Sequence, residues 1–405
     1  MNYSNEFSRV SQSMKSSMIR ELVATTKNVP DMISFAGGFP APATFPKQML
    51  SEIFEEVVKL EGYDVLQYGA SEGDALLKQQ LLKWEGYDKL SLDEMLITNG
   101  ATNAIYYYGK ALLDPGDVVL CEAPTFLGSL VAFDALEAEL HGIGMDESGI
   151  DMNLLSDRVK SLKKIGKRIK LLYTIPDFQN PGGITMSLPR RRELIAFCIE
   201  HEIPILEDNP YSRLRYTGKP LPTLFHLAHH DFQRSDIVTE AVSFSKIIGP
   251  GMRVAYVKGS KELVEKMGSW QQKVNVTPDC VSQRVVARFL EMGFMPGHIN
   301  TICHHYHPYL RKMLEELQIN MPESVYWTKP EGGIFVWLEL PEHINADELF
   351  IKARDHKVSF IPGSKFYPTG QERFNALRLN FTYSSLEQIE IGIKRLGQLL
   401  KDESA

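Results

Sequence analysis

Between about residue 75 and residue 260, short apolar runs rich in β-branched residues alternate with longer stretches of helical periodicity. "EMLITNG", ending at Gly100, reads as a strand. "ATNAIYYYGKALL" reads as the helix after it, and "DPGD" as the turn that stops it. "DVVLCEAP", "RIKLLYTIP", "IPILED" and "DIVTEAVSFS" are further strands with helices between them. "SLPRRRELIAFCIEH" opens one of those helices, with Ser187 as its cap and Pro189 in its first turn. Strand alternating with helix is the feature that most restricts the fold. It calls for an α/β architecture, a mostly parallel sheet with helices on both faces.

Beyond "QQKVNVTPDCVSQRVVARFLEMG" the pattern changes. A long helix is expected from about Met295 to Leu317, followed by the strand "GGIFVWLEL" and a helix near "NADELFIKARDH". The short strand "VSFIPG", the strand "ALRLNF" and a last helix from about Ser385 complete a smaller α+β unit. The expected division is an N-terminal segment 1–45 packing on the small domain, a large domain 46–290 and a small domain 291–405.

The net charge of −7 gives no reason to expect nucleic acid as a partner. The densest basic run, "RVKSLKKIGKRIK", reads as a solvated helix face followed by a loop into a strand. No apolar run approaches the roughly 18 residues of a membrane span, and the N-terminus lacks an apolar signal core. Cys121, Cys198, Cys280 and Cys303 stand far apart and read as reduced thiols of a cytoplasmic protein. The cluster "CHHYH" has no second ligand pair near it, and its histidines would diverge on a helix, so no metal is expected.

Open α/β sheets bind ligands at the C-terminal ends of their strands. Gly100, Ala101 and Thr102 lie where a strand turns into a helix, a place for an anion. Neither the P-loop ending nor the dinucleotide glycine fingerprint is present. Asn180 sits in the turn of "TIPDFQNPGG". Asp208 emerges from an apolar strand in "ILEDNPYSRL", with Tyr211 three residues on. A carboxylate there needs a cation or a proton-sharing partner, and a structural salt bridge is the plainer alternative. "SFSKIIGPGMR" offers Ser243 and Ser245 hydroxyls, the planar fork of Arg253 and the amine of Lys246. A lysine in a partly desolvated, cation-rich pocket loses its proton more readily and becomes a nucleophile. Anion donors, a reactive lysine and an acid at separate strand ends suit pyridoxal phosphate, with its phosphate, its aldehyde and its pyridine nitrogen.

With these motifs in view, the sequence resembles the fold type I, class I/II aminotransferases, most closely the kynurenine/2-aminoadipate and aromatic branch. The likeness runs nearly end to end, through "ISFAGGFPAPATFP", "LQYGASEG", "ITNGATNAI", "YTIPDFQNPGG", "ILEDNPY", "SFSKIIGPGMRVAY", "GGIFVWLEL" and "ALRLNFT". The resemblance implies a seven-stranded sheet in the large domain and pyridoxal 5′-phosphate as cofactor. It implies that Lys246 links to the cofactor's aldehyde and later moves the α-proton, while Asp208 keeps the pyridine nitrogen protonated. Tyr211 and Asn180 would bond the ring's phenolic oxygen, and Phe126 would stack on the ring where relatives often carry tyrosine. Ala101 (often serine in relatives), Gly100, Thr102, Ser243, Ser245 and Arg253 would hold the phosphate. Tyr68 would reach the phosphate of a neighbouring subunit, which implies a homodimer with composite sites. Arg378 would grip the substrate's α-carboxylate, with Gly38 and Asn180 beside it; the alternative is a surface arginine on an edge strand. Arg20 is a candidate for a side-chain carboxylate, a solvated helix arginine being the alternative.

The activity so implied is a ping-pong transfer of an α-amino group from an aromatic, branched-chain or 2-aminoadipate-like amino acid to a 2-oxo acid, 2-oxoglutarate. A carbon–sulfur β-lyase on the same scaffold is an alternative, because the fold does not settle the reaction. A non-catalytic regulator module is a third. It is disfavoured by the acidic charge and by a family-like pattern that begins within the first 35 residues.

Overall fold

The computed structural model describes residue 3 and residues 6–13, 29–87 and 89–404. Seven strands form its principal sheet: β1 (Met95–Thr98), β2 (Val118–Glu122), β3 (Glu139–Ile143), β4 (Ile169–Thr174), β5 (Ile205–Asn209), β6 (Val238–Ser243) and β7 (Ala255–Lys258). Their order is β1-β7-β6-β5-β4-β2-β3. Only β7 runs against its neighbours; the pairings among β6, β5, β4, β2 and β3 are all parallel. Every residue of β1, β2, β5, β6 and β7 is buried, as a sheet covered on both faces requires.

Five of these strands are the ones the apolar runs predict. The other two lack that signature. The edge strand β3, "ELHGI", is only half-buried and carries no apolar run. β7, "AYVK", ends in a lysine that reads as a surface residue. Lys258 is instead buried and paired with Glu85 and, at 2.8 Å, with Glu240.

The helices follow their local signals. α1 (Ala101–Leu112) starts directly after Gly100, whose φ of 89° lets the chain turn from β1 into the helix. α2 (Leu127–Asp134) follows β2. α3 (Leu188–His201) is capped by Ser187, whose side chain accepts from the Arg190 N–H, with proline in the first turn. The long helix α4 (Phe294–Asn320) packs against the last helix, α5 (Leu386–Ser404). Among the described residues no helix is long and apolar enough to cross a membrane.

A second, antiparallel sheet joins β8 (Tyr326–Trp327), β9 (Phe335–Glu339), β10 (Ile361–Pro362) and β11 (Ala376–Asn380) in the order β8-β9-β11-β10. The run "VSFIPG" serves two sheets rather than one. Val358–Ser359 pairs in parallel with Ile33–Ser34, and only Ile361–Pro362 joins β11. The buried Phe360 separates the two pairings. Residues 33–36 thus lie along the second sheet, with the Asn380 N–H donating to the Phe35 carbonyl at 2.8 Å.

Leu206, wholly buried in the central strand β5, has no room to lose volume. Leu206→Ala is expected to cost about 2–5 kcal/mol. Chemical denaturation should show a lower midpoint at an unchanged slope.

Candidate active site

The register of β7 assembles one side of the site. Ala255 pairs with Thr98 of β1 on one side and with Ser243 of β6 on the other. Because β7 is antiparallel, the residues that precede it lie at the edge where β1 and β6 end. Arg253, Gly100, Ser243 and Ser245 therefore arrive together. The Arg253 guanidinium lies against Gly100, where a Cβ would overlap it, and donates to the Asn99 carbonyl at 3.1 Å and the Pro250 carbonyl at 3.3 Å. No carboxylate pairs with it among the described residues. Gly100 caps α1 without a side-chain bond, so the N–H groups of the first turn, at Ala101 and Thr102, face the same place as the guanidinium. The Ser243 and Ser245 hydroxyls stand 3.0 Å apart. Guanidinium, backbone N–H groups and hydroxyls here offer an anion three kinds of donor.

Lys246 ends the short 3₁₀ turn that follows β6. Its Nζ donates to the Gly38 carbonyl at 2.7 Å. Burial pulls the amine down to about 8, and the charges of Arg378 and Arg253 push the same way.

Asp208, 2% exposed on β5, has no cationic partner among the described residues, so the salt-bridge alternative falls. The Tyr173 hydroxyl donates to its Oδ2 at 2.6 Å, and Oδ1 has no partner. Burial pushes the carboxyl up to about 6 against the pull of the Tyr173 bond. Tyr211 is buried just beyond β5 and accepts from Asn180 Nδ2 at 3.4 Å. Burial holds its phenol well above the ordinary range.

Arg378 lies on β11, which sits between β9 and β10 and is not an edge. The arginine is 3% exposed, and Leu377 and Leu379 are buried as well. It donates to Asn180 Oδ1 and to the Ala36 carbonyl, each at 2.9 Å, while its Nε is unpartnered. The guanidinium stacks 4.0 Å from the Phe335 ring centre and 4.8 Å from that of Phe366. Burial pulls its pKa down to about 9. Among the described residues no carboxylate answers this charge.

The donor set fits pyridoxal 5′-phosphate. The unpartnered Asp208 Oδ1 suits a protonated ring nitrogen, the Lys246 amine an aldehyde, and Arg253 with the start of α1 a phosphate. The remaining candidates divide. Phe126, half-buried at the start of α2, folds its ring over Gly128. Gly38 meets Lys246 through its carbonyl, and a Cβ there would lie 3.3 Å from the Phe335 ring. The Tyr68 side chain is 79% exposed, and the role expected of it belongs to a second subunit. Arg20 lies outside the described residues.

Sequence reasoning missed Tyr173, the hydrogen-bond partner of Asp208, and Phe335, the platform of Arg378. Both read as ordinary strand residues, and only strand pairing brings them to the site. It also gave no part to Glu122, a wholly buried carboxyl at the end of β2.

Known proteins resemble the chain nearly end to end. Residues 30–396 match the family model described as aminotransferase class I and II. An aromatic-amino-acid aminotransferase of Thermococcus litoralis is 37% identical over 100% of this chain and 96% of its own. A 2-aminoadipate transaminase of Thermus thermophilus is 34% identical over 99% of this chain and 98% of its own. Among solved structures, a kynurenine aminotransferase of Pyrococcus horikoshii, in complex with PMP, superposes with a TM-score of 0.94. It is 37% identical, with 99% of this chain and 98% of that one covered.

Gly100→Ala combines a left-handed φ with an overlap on Arg253. Its affinity for pyridoxal 5′-phosphate should fall about tenfold or more, a strain of one to three kcal/mol. Equilibrium dialysis of the cofactor measures this, with circular dichroism as the check that the fold is kept.

Proposed function

The chain belongs to the class I and II aminotransferases, and within that family we propose that it moves the α-amino group of an aromatic, branched-chain or 2-aminoadipate-like amino acid to 2-oxoglutarate by a ping-pong mechanism. It is a pyridoxal 5′-phosphate-dependent enzyme. The observation that carries the substrate reading is Arg378, a buried guanidinium without a carboxylate of its own among the described residues. Arg378 and Lys246 bond carbonyls only two residues apart, Ala36 and Gly38. An amino acid with its carboxylate on Arg378 therefore has its α-carbon within reach of Lys246. The donor range follows relatives named for aromatic amino acids, 2-aminoadipate and kynurenine.

When bound, the cofactor supplies an aldehyde and a ring that withdraws electrons from the substrate's α-carbon. The chain's own groups do the rest. Arg253, Ser243, Ser245 and the first turn of α1 hold the phosphate. Asp208 would hold a proton at the pyridine nitrogen, its Oδ1 being left unpartnered while Tyr173 bonds Oδ2. Asn180 and Tyr211 would bond the phenolic oxygen, and Phe126 would stack on the ring. Arg378 binds the α-carboxylate by two parallel bonds while Asn180 steadies it. Lys246, once free, takes the proton from the α-carbon in its neutral form. In a homodimer, Tyr68 of a second subunit adds a phosphate contact.

A half-reaction screen of the common amino acids, followed by conversion of the cofactor to its amine form, tests the reading. Donors of the stated range should convert, and 2-oxoglutarate should reverse the conversion. Pyruvate and ammonia released from cystathionine, with no glutamate formed, would replace transamination by the β-lyase reading.

Two further outcomes follow. Lys246→Ala should lower turnover by at least about 10²–10⁴-fold, measured by single-turnover kinetics. The unloaded protein's amine, at about 8, is nucleophilic only when neutral. Covalent capture of the cofactor should therefore quicken as pH rises and level off above about 8, as followed by absorbance.

A further inference from the structure

Glu122 is an ionisable side chain buried whole at the end of β2, on the sheet edge where the site forms. No lysine or arginine pairs with it among the described residues. A buried carboxyl without a cation is costly, and its position asks for a reason. Its three partners all lie on the exit of β4. The Thr174 hydroxyl meets Oε1, while the Ile175 N–H and the Gln179 Nε2 donate to Oε2 at 3.2 Å and 3.1 Å.

Gln179 is the centre of that exit. It is wholly buried. Besides Glu122, its Nε2 donates to the Pro124 carbonyl at 2.7 Å, and its Oε1 accepts the Gly182 N–H at 2.7 Å. Its backbone is fixed as well: the N–H donates to the Ile184 carbonyl at 2.8 Å, and its carbonyl accepts the Gly183 N–H at 2.6 Å. The next residue is Asn180, whose Oδ1 receives Arg378.

We propose that Glu122 is a positioning residue: by holding Gln179 it fixes Asn180, and through Asn180 it sets the Arg378 guanidinium for the substrate carboxylate. The inference rests on the reading of Arg378 given above. From Glu122 to Arg378 the links are the hydrogen bond to Gln179, the peptide bond from Gln179 to Asn180 and the hydrogen bond from Arg378 to Asn180, all between buried groups. Burial pushes the Glu122 carboxyl up to about 7 against the bonds from Thr174, Gln179 and Ile175, and the Asp208 charge adds to the rise. Here the Thr174 hydroxyl donates to Oε1. A hydroxyl also accepts, so a glutamine in place of Glu122 would donate to the Thr174 oxygen through its amide nitrogen and accept from Ile175 and Gln179 with its oxygen.

The test compares wild-type holoenzyme with Glu122→Gln, Glu122→Ala, Gln179→Ala and the double alanine variant. Calorimetric Kd for 2-oxoglutarate, donor KM, kcat and Tm are read for each. Glu122→Ala and Gln179→Ala should each raise Kd and KM about tenfold while kcat stays within about threefold. The double variant should be no worse than either single one, because both break the same link. Glu122→Gln should bind as wild type does. Wild-type Kd and KM in either folded alanine variant, or effects that add in the double, overturn the proposal whatever happens to Tm. Should Glu122→Ala fail to fold, Gln179→Ala decides alone. A wild-type enzyme that does not transaminate overturns the functional reading and this inference with it; an active wild type beside unchanged variants overturns the inference alone.

Discussion

The hydrogen bond from Arg378 to Asn180 joins the second sheet to the exit of β4, and the site is organised around it. A guanidinium buried this deeply keeps its charge only if its N–H groups and its faces are answered. Asn180 and the Ala36 carbonyl answer two of the donors, and the Phe335 and Phe366 rings answer the faces. The negative charge that would complete the balance is the one a substrate carboxylate brings.

The same incompleteness recurs at Asp208, Lys246 and Arg253. Burial drives Asp208 upward and Lys246 downward, each toward its neutral form. None of the three has an opposite charge beside it among the described residues. In the proposed mechanism the cofactor's ring nitrogen, aldehyde and phosphate supply what each lacks. Affinity and catalytic readiness then have one origin, since the groups that hold the cofactor are those the fold has left unsatisfied.

Much of this was legible in the sequence. Buried parallel strands are nearly continuous apolar runs, and the residues at their ends are polar, so Asp208, Lys246 and Gly100 stood out. Arg378 stood out between two leucines, and the alternative of a surface arginine on an edge strand falls because its strand is interior. β3 and β7 were not legible, because a half-buried edge strand and a strand ending in a buried lysine carry no apolar signature. Tyr173 and Glu122 were hidden for another reason. Each matters through a neighbour on an adjacent strand, and strand order is a property of the closed sheet. The arrival of Arg253 beside Gly100 likewise depends on β7 running backwards between β1 and β6.

Lys246 and Arg378 both reach carbonyls in the stretch 36–38, across 208 and 342 positions of sequence, and Arg378 reaches Asn180 across 198. Contacts of such separation close late, because loop entropy opposes them until the rest of the chain is in place. The site is therefore a sensor of complete folding. A partly folded chain lacks the grip on an amino acid, and either half expressed alone lacks a whole cofactor seat as well, since Gly100 and Asn180 fall in the first half and Asp208, Lys246 and Arg253 in the second.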